Sequence, residues 1–257
     1  LRSFLAGLAD LVFPPRCLSC GGNLEEGAPF AICEGCRAGI GYIRSPLCTV
    51  CGEPFASDVE KDHVCGSCLI SPPPFAAARS LGRFDGVLMA MIHRLKYREQ
   101  SRLASPLGHL MAAGDYPGFR IGEASLVIPV PLHRKRLRQR GFNQSLLMAG
   151  AVGKRHGIPL DARSLRRPVA SEPQVTLDRK ERERNVRGVF AVADREHIRG
   201  KGILLVDDVY TTGSTLKECA RVLLRAGARE VYVLTLARSV ENPQPLGDKV
   251  QNGRRET

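Results

Sequence analysis

The chain has 257 residues, 43% hydrophobic and 25% charged, with a net charge of +12 and an isoelectric point near 9.6. This balance excludes a wholly disordered chain, and no apolar run reaches the 18 residues that would suggest a membrane span, so no membrane insertion is expected. The positive excess is uneven: residues 1–74 carry 5 Lys and Arg against 8 Asp and Glu, residues 75–257 carry 33 against 18, and residues 133–187 alone carry 15 against 5. Charge so concentrated points to a polyanionic partner, either the phosphates of a small ligand or nucleic acid, in preference to a merely solubilising surface.

Taken in order, the chain opens on LRSFLAGLADLVFPPRC, a short apolar segment interrupted by Asp10 and running straight into Pro14-Pro15. It lacks a small-residue cleavage site and is expected to be an amphipathic helix rather than a secretory signal. Eight of the nine cysteines follow within residues 17–68 as four Cys-x-x-Cys pairs, Cys17/Cys20, Cys33/Cys36, Cys48/Cys51 and Cys65/Cys68, separated by 12, 11 and 13 residues. A cytoplasmic location is expected, where thiols stay reduced and bind metal in preference to forming disulfides. Eight thiolates suffice for two tetrahedral four-cysteine zinc sites, with sequential pairing the simplest arrangement and an interleaved cross-brace the alternative. Disulfides, redox pairs and an iron–sulfur cluster are the competing readings; four pairs in a Gly- and Pro-rich segment fit none of them as well. Gly21 and Gly52, directly after their pairs, stand where a tight turn needs positive φ. His63 is expected at the surface, since the cysteines already complete both sites. So small a head has little core of its own, so zinc is expected to supply its folding energy.

The run SPPP at 71–74 marks a boundary. The expected organisation is a helix and double zinc ribbon over 1–74, an α/β domain over 75–238 and a disordered tail over 239–257. In the α/β part, 126–130, 203–206 and 230–236 read as strands buried on both faces of a parallel sheet. Residues 86–97, 144–155 and 215–225 read as helices, the last with Leu216, Cys219, Ala220, Leu223 and Leu224 on one stripe before Gly227. Alternating strands and helices predict an open, doubly wound sheet.

The most informative stretch is ILLVDDVYTTGST at 203–215. Four apolar residues are expected to form a strand ending at Asp207 and Asp208, followed by a turn of small residues and a helix. The backbone N–H groups and hydroxyls of Thr211, Thr212, Gly213, Ser214 and Thr215 can wrap a phosphate at the helix N-terminus, with Gly213 allowing close approach. Asp207 and Asp208 are then placed to accept hydrogen bonds from sugar hydroxyls, and to reach a Mg²⁺ held mainly by pyrophosphate oxygens. An ordinary strand–turn–helix junction leaves the two adjacent acids unexplained, and no Walker-type loop is present.

This stretch resembles the 5-phosphoribosyl 1-pyrophosphate (PRPP) signature of type I phosphoribosyltransferases at every position. Together with IPVPLHRKRLRQRGFNQS at 128–145, the Gln-x-x-Leu and Glu-Arg-x-x-Asn segment at 174–185 and the cysteine-rich head, it resembles the ComF family of competence-associated phosphoribosyltransferase-like proteins over residues 10–238. The strand at 126–130 also resembles that of glutamine PRPP amidotransferases, but no glutaminase half is present. The resemblance implies a type I phosphoribosyltransferase fold behind a zinc ribbon, with Asp207 and Asp208 as catalytic residues. It makes 131–143 the pyrophosphate loop, populated by Arg134, Lys135, Arg136, Arg138 and Arg140, with Arg140 favoured and Asn143 and Gln144 as orienting groups. Lys96 either reaches a phosphate or is a surface lysine.

Residues 168–188 resemble the hood that closes over the reacting centre, bringing Gln174, Arg182, Asn185 and Arg187 over pyrophosphate; a solvated helix of alternating charge is the other reading. Two functions follow. One is an enzyme transferring the phosphoribosyl group from Mg²⁺-bound PRPP to a nitrogen acceptor. The other is a non-catalytic nucleotide- and single-stranded-DNA-binding module serving DNA-uptake proteins. Aromatic residues within and beside the basic stretch are limited to Phe142 and Phe190, so base stacking has thin support there. Pyrophosphate release from PRPP would indicate the enzyme, and salt-dependent oligonucleotide binding without turnover the module.

Overall fold

The structure, a computed structural model, describes residues 15–24, 27–56, 61–97, 101–169 and 188–240. The expected N-terminal helix, the hood residues Gln174, Arg182, Asn185 and Arg187, and nearly all of the expected tail lie outside them.

Four parallel strands form the sheet: β1 (Ala77–Arg83), β2 (Leu126–Pro129), β5 (Gly202–Tyr210) and β6 (Glu230–Arg238), in the order β1-β6-β5-β2. Pleating sends alternate side chains of β5 to opposite faces, and both faces are apolar. Leu204 and Val206 join a core with Met91, Ile92 and Leu95 of helix α3 (Gly86–Tyr97), Leu107 and Met111 of α4 (Ala104–Ala112), and Met148 and Val152 of α6 (Gln144–His156). Ile203 and Leu205 join a second core with Leu216, Cys219, Ala220 and Leu223 of α8 (Ser214–Arg225). Burial on both faces is why the strands read as unbroken apolar runs. Cys219 is fully buried on the predicted stripe.

Two short strands, β3 (Leu165–Arg166) and β4 (Ala191–Val192), pair antiparallel outside the sheet. Three further short helices complete the set used below: α1 (Glu34–Ala38) and α2 (Gly66–Ile70) in the cysteine-rich head, and α5 (Arg134–Arg140) after β2. The helix Arg195–Ile198, α7, precedes β5.

Both edges of the sheet are covered, which removes templates for aberrant pairing. On the β2 side, Val127 exchanges backbone hydrogen bonds with Pro159 and Asp161, both 2.9 Å. On the β1 side the cysteine-rich head does the covering. Ala78 N–H donates to Val50 O at 2.7 Å, Ile43 N–H to Leu81 O at 3.0 Å and Arg83 N–H to Gly41 O at 2.8 Å. Gly52, at φ +73°, passes so close to β1 that an added Cβ would lie 2.5 Å from Ala78 O.

Two expectations need correction. The strand predicted to end at Val206 continues to Tyr210, because β6 is nine residues long and supplies partners beyond the acids, Asp207 to Thr235 and Tyr210 to Arg238. Nor is 131–143 simply a loop. His133 accepts from Lys135 N–H and Gly141 ends the segment at φ +79°, and between these caps the long basic side chains suit the two-turn helix α5.

Candidate functional site

The cysteines form two groups, Cys17/Cys20/Cys33/Cys36 and Cys48/Cys51/Cys65/Cys68, each with its sulfurs within 4.8 Å of one another. This is the sequential pairing. Cys20 and Cys33 Sγ are 3.9 Å apart and Cys51 and Cys65 Sγ 3.8 Å. A tetrahedron with Zn–S bonds of about 2.3 Å has sulfur edges of about 3.8 Å, so the donor sets fit zinc. Backbone N–H groups point at the sulfurs, among them Cys33 to Cys17 and Cys65 to Cys48, both 3.3 Å. Burial would raise these two thiols, but the N–H donors outweigh it and bring Cys17 and Cys48 each down to about 6. Gly21 (φ +77°) and Gly52 take the positive φ that the turns need. His63 is exposed and stacks on Phe55 at 4.1 Å, outside the metal group.

The acids sit where the sheet opens. β2 stops at Pro129, opposite Val206, so beyond that point β5 has no strand partner on this side; this is the carboxyl end of the parallel strands, where such sheets bind ligands. Asp208 continues the Leu204–Val206 series toward α3 and α6. It is 4% exposed, with Lys96 Nζ 2.7 Å from its Oδ2 and Gln144 Nε2 at a long 3.4 Å. Arg140 Nη1 donates to Gln144 Oε1 at 2.8 Å, so α5 joins the same chain of contacts. Asp207 Oδ1 accepts from Ser145 Oγ at 2.7 Å and from Asp208 N–H at 2.9 Å. Burial and then the neighbouring Asp208 charge push the Asp207 carboxyl up to about 7, against the opposing pull of Ser145 and Lys96.

Why α3 and α6 deliver these groups is legible locally. Lys96 is in the last turn of α3, where a cation suits the helix dipole. Asn143 caps α6, its Oδ1 accepting from Ser145 N–H at 3.0 Å while its Nδ2 donates to Val130 O at 3.1 Å. That ties the first turn of α6 to the end of β2 and aims Gln144 and Ser145 at the acids. Ser145 was not singled out from sequence; its signal is its place directly after a capping Asn and a buried Gln.

The turn after β5 is small and polar. Thr211 is exposed, Thr212 and Thr215 are half-buried, and Gly213 and Ser214 are buried. Gly213 is the N-cap of α8 at φ +73° and has no side chain to cap with, so first-turn N–H groups face the turn. Thr212 Oγ1 lies 2.8 Å from Ser214 Oγ. Amides, hydroxyls and the dipole of a 12-residue helix are together groups that can receive an anion. Two adjacent carboxylates, one held up by the other's charge, are a donor set that a divalent cation or paired sugar hydroxyls would relieve.

Arg134, Lys135 and Arg138 are exposed on α5, and Arg136 and Arg140 are half-buried. Beside them a groove of about 930 Å³ is lined by Leu132, Arg134, Leu137, Phe142, Leu165 and Arg167, among other residues. It adjoins the acid site through Asn143 but does not include the 207–215 turn. Among the described residues no helix is long and apolar enough to cross a membrane.

Parallel sheet, acidic pair, glycine-capped polar turn and paired four-cysteine groups define a phosphoribosyltransferase-fold protein with a zinc-binding head. Two family models agree: a double zinc ribbon domain matches residues 8–69 and a phosphoribosyl transferase domain matches residues 146–253. The DNA utilization protein YhgH of Escherichia coli (strain K12) is 32% identical over 234 residues, covering 90% of this chain and 100% of that one. Competence protein F of Haemophilus influenzae is 31% identical over 228 residues, covering 87% and 97%. The competence protein ComFC of Bacillus subtilis is 25% identical over 215 residues, covering 81% and 84%. The chain belongs to the ComF family.

Proposed function

We propose that the chain binds PRPP, or a nucleotide carrying the same ribose phosphate, at the junction of β5 and α8 and transfers the phosphoribosyl group to a nitrogen acceptor. The observation that carries this is the pairing of Asp207 and Asp208, at the open edge of β5, with the glycine-capped Thr-Thr-Gly-Ser turn that follows. The turn would hold the 5′-phosphate, and the acids the ribose hydroxyls. In the reaction the bond from C1 to pyrophosphate breaks with the electron pair leaving on oxygen, the bond from C1 to nitrogen forms, and the acceptor loses a proton. Asp207 and Asp208 would favour the positive charge that develops on the ribose, and Arg140 with the neighbouring cations of α5 the departing pyrophosphate. Bound Mg²⁺ would neutralise the pyrophosphate oxygens, with the two acids as its nearest protein ligands. Gln174, Arg182, Asn185 and Arg187 are proposed to close over the site and exclude water.

The test is ligand-induced stabilisation by PRPP with and without Mg²⁺, in the natural chain and in Asp207→Asn with Asp208→Asn. The acids lie inside β5 and Asp208 pairs with Lys96, so the substitutions also cost stability; the readout is the increment that PRPP adds. An undiminished increment in the double variant would remove the ribose assignment.

A second reading rests on the exposed cations of α5 and on the relatives named for competence and DNA utilization. Here the strip from Arg134 to Arg187 binds single-stranded DNA and links the chain to DNA uptake. Neutralising Arg134, Lys135, Arg136 and Arg138 should then weaken oligonucleotide binding with little sequence preference and flatten its salt dependence. Negligible oligonucleotide affinity of the natural chain at low salt would leave the strip to the small ligand alone.

A further inference from the structure

The zinc ribbon does more than cover an edge: a buried arginine connects its second metal group to the phosphate turn. Arg238, the last residue of β6, is 5% exposed. Its guanidinium binds the Glu53 carboxylate, with Nε to Oε2 at 2.7 Å, donates from Nη1 to Cys51 O at 2.7 Å, and brings Nη2 to 3.8 Å from Cys51 Sγ. The same guanidinium lies 4.3 Å above the ring of Tyr210, the last residue of β5. Tyr210 in turn packs against the phosphate turn, where a Cβ built on Gly213 would lie 2.5 Å from its hydroxyl oxygen. Tyr210 O also accepts from Ser239 N–H at 2.9 Å, closing the end of β5 onto the end of β6.

We propose that Arg238 is a positioning residue: by holding Cys51 and Glu53 of the second ribbon and the ring of Tyr210 together, it fixes the conformation of the turn 211–215, so that this turn is ordered only while the second four-cysteine group is intact. This rests on the phosphate assignment of the turn for its functional meaning, but the positioning itself does not. Three features favour this role over a generic structural one. Planar guanidinium donors bonded in two directions are spent on ribbon atoms, a buried arginine is costly unless every such bond serves, and its remaining face is given to the residue that walls Gly213. A clamp made only to dock the ribbon is already available in Arg79, which bonds Thr49 O at 3.0 Å and Pro117 O at 2.8 Å without touching the turn.

The experiment is amide hydrogen exchange on the zinc-loaded chain without ligand, comparing the natural protein with Arg238→Met and with Glu53→Gln, the latter chosen because Gln keeps the shape of Glu53 and an oxygen acceptor for the Arg238 guanidinium. Zinc content and PRPP-induced stabilisation are measured beside it. Exchange at 211–215 should rise by roughly fivefold or more in Arg238→Met, the low end of coupling between linked sites, and by less in Glu53→Gln. Exchange in α4 and α6 should stay unchanged. Removing zinc from the natural chain with a chelator should raise exchange in the same turn. Unchanged exchange at 211–215 in both variants would overturn the proposal, as would a rise spread evenly through β5, β6 and α6. Should Arg238→Met not fold, Glu53→Gln alone decides in the same terms. Failure of PRPP to stabilise any of the proteins, with the exchange pattern as expected, would count against the ligand and leave the positioning standing.

Discussion

Asp207 offers a test that needs no ligand. Burial and the adjacent Asp208 raise its carboxyl from 3.8 to about 7 in the folded chain. Below about pH 4 both folded and unfolded chains hold the proton, and stability is unaffected. Between there and 7 the unfolded chain has released the proton and the native chain has not, so unfolding releases protons and stability falls as pH rises, by ~1.4 kcal/mol per unit. Between about pH 5.5 and pH 8 this amounts to ~2 kcal/mol lost, and above 7 the loss is complete. Asp207→Asn removes the titration and keeps an acceptor for Ser145. Urea unfolding at the two pH values, in the natural chain and the variant, separates this contribution from the histidines and the zinc sites, which both proteins share. The variant should retain ~2 kcal/mol more of its stability on going to pH 8. Equal losses in the two proteins would show that the carboxyl is not held protonated, and that its surroundings are wetter or more cationic than their geometry implies. Mg²⁺ with PRPP should reverse the effect in the natural chain alone, since a ligand that binds the ionised pair offsets the cost.

Three further outcomes are expected. Lys96→Met leaves the nearly buried Asp208 carboxylate without its cation and should destabilise the chain by ~3 kcal/mol at neutral pH, read by chemical denaturation. Gly213→Ala forces a side chain into the left-handed region and against the Tyr210 hydroxyl, and should cost ~1–3 kcal/mol while reducing PRPP-induced stabilisation more than a surface control does. Metal analysis of protein purified under reducing conditions should find two zinc ions per chain, falling to one in Cys65→Ala; a folded, metal-free preparation would contradict this.

Much of the site was legible because its chemistry is contiguous. The strand, acids, turn and helix of 202–225 follow one another in the chain, and the cysteine pairs are local too. The length of β5 is not legible in the sequence, for a physical reason. Two acids after an apolar run look like a strand end, yet a long β6 keeps the backbone paired past the point where β2 has stopped. The helix α5 was hidden by its charge, since five basic residues between two caps read equally well as a ligand loop. β1 gives no strand signal in the sequence. Its AARSLGR sequence carries Arg79 and Ser80 in the middle, and these are buried only because the carbonyls of Thr49 and Pro117 receive Arg79 and the Thr235 hydroxyl pairs with Ser80.

The connection between head and site illustrates what a linear reading misses. Arg94 sits two residues before Lys96 on α3 and donates to Leu18 O and Ser19 O of the first ribbon at 2.7 and 2.8 Å. Arg238 does the corresponding work for the second ribbon. Nothing local marks either arginine as a clamp, and their partners lie 76 and 185 residues away. Yet one stands beside the residue that pairs with Asp208 and the other against the residue that walls Gly213. A head that only needed to fold could have been joined to the sheet anywhere along its edge. Here the first ribbon is bonded to α3, which carries the partner of Asp208, and the second to β6, whose Arg238 covers the residue that walls Gly213, so loosening either ribbon should be felt first around the acids and the 211–215 turn and only later in the core.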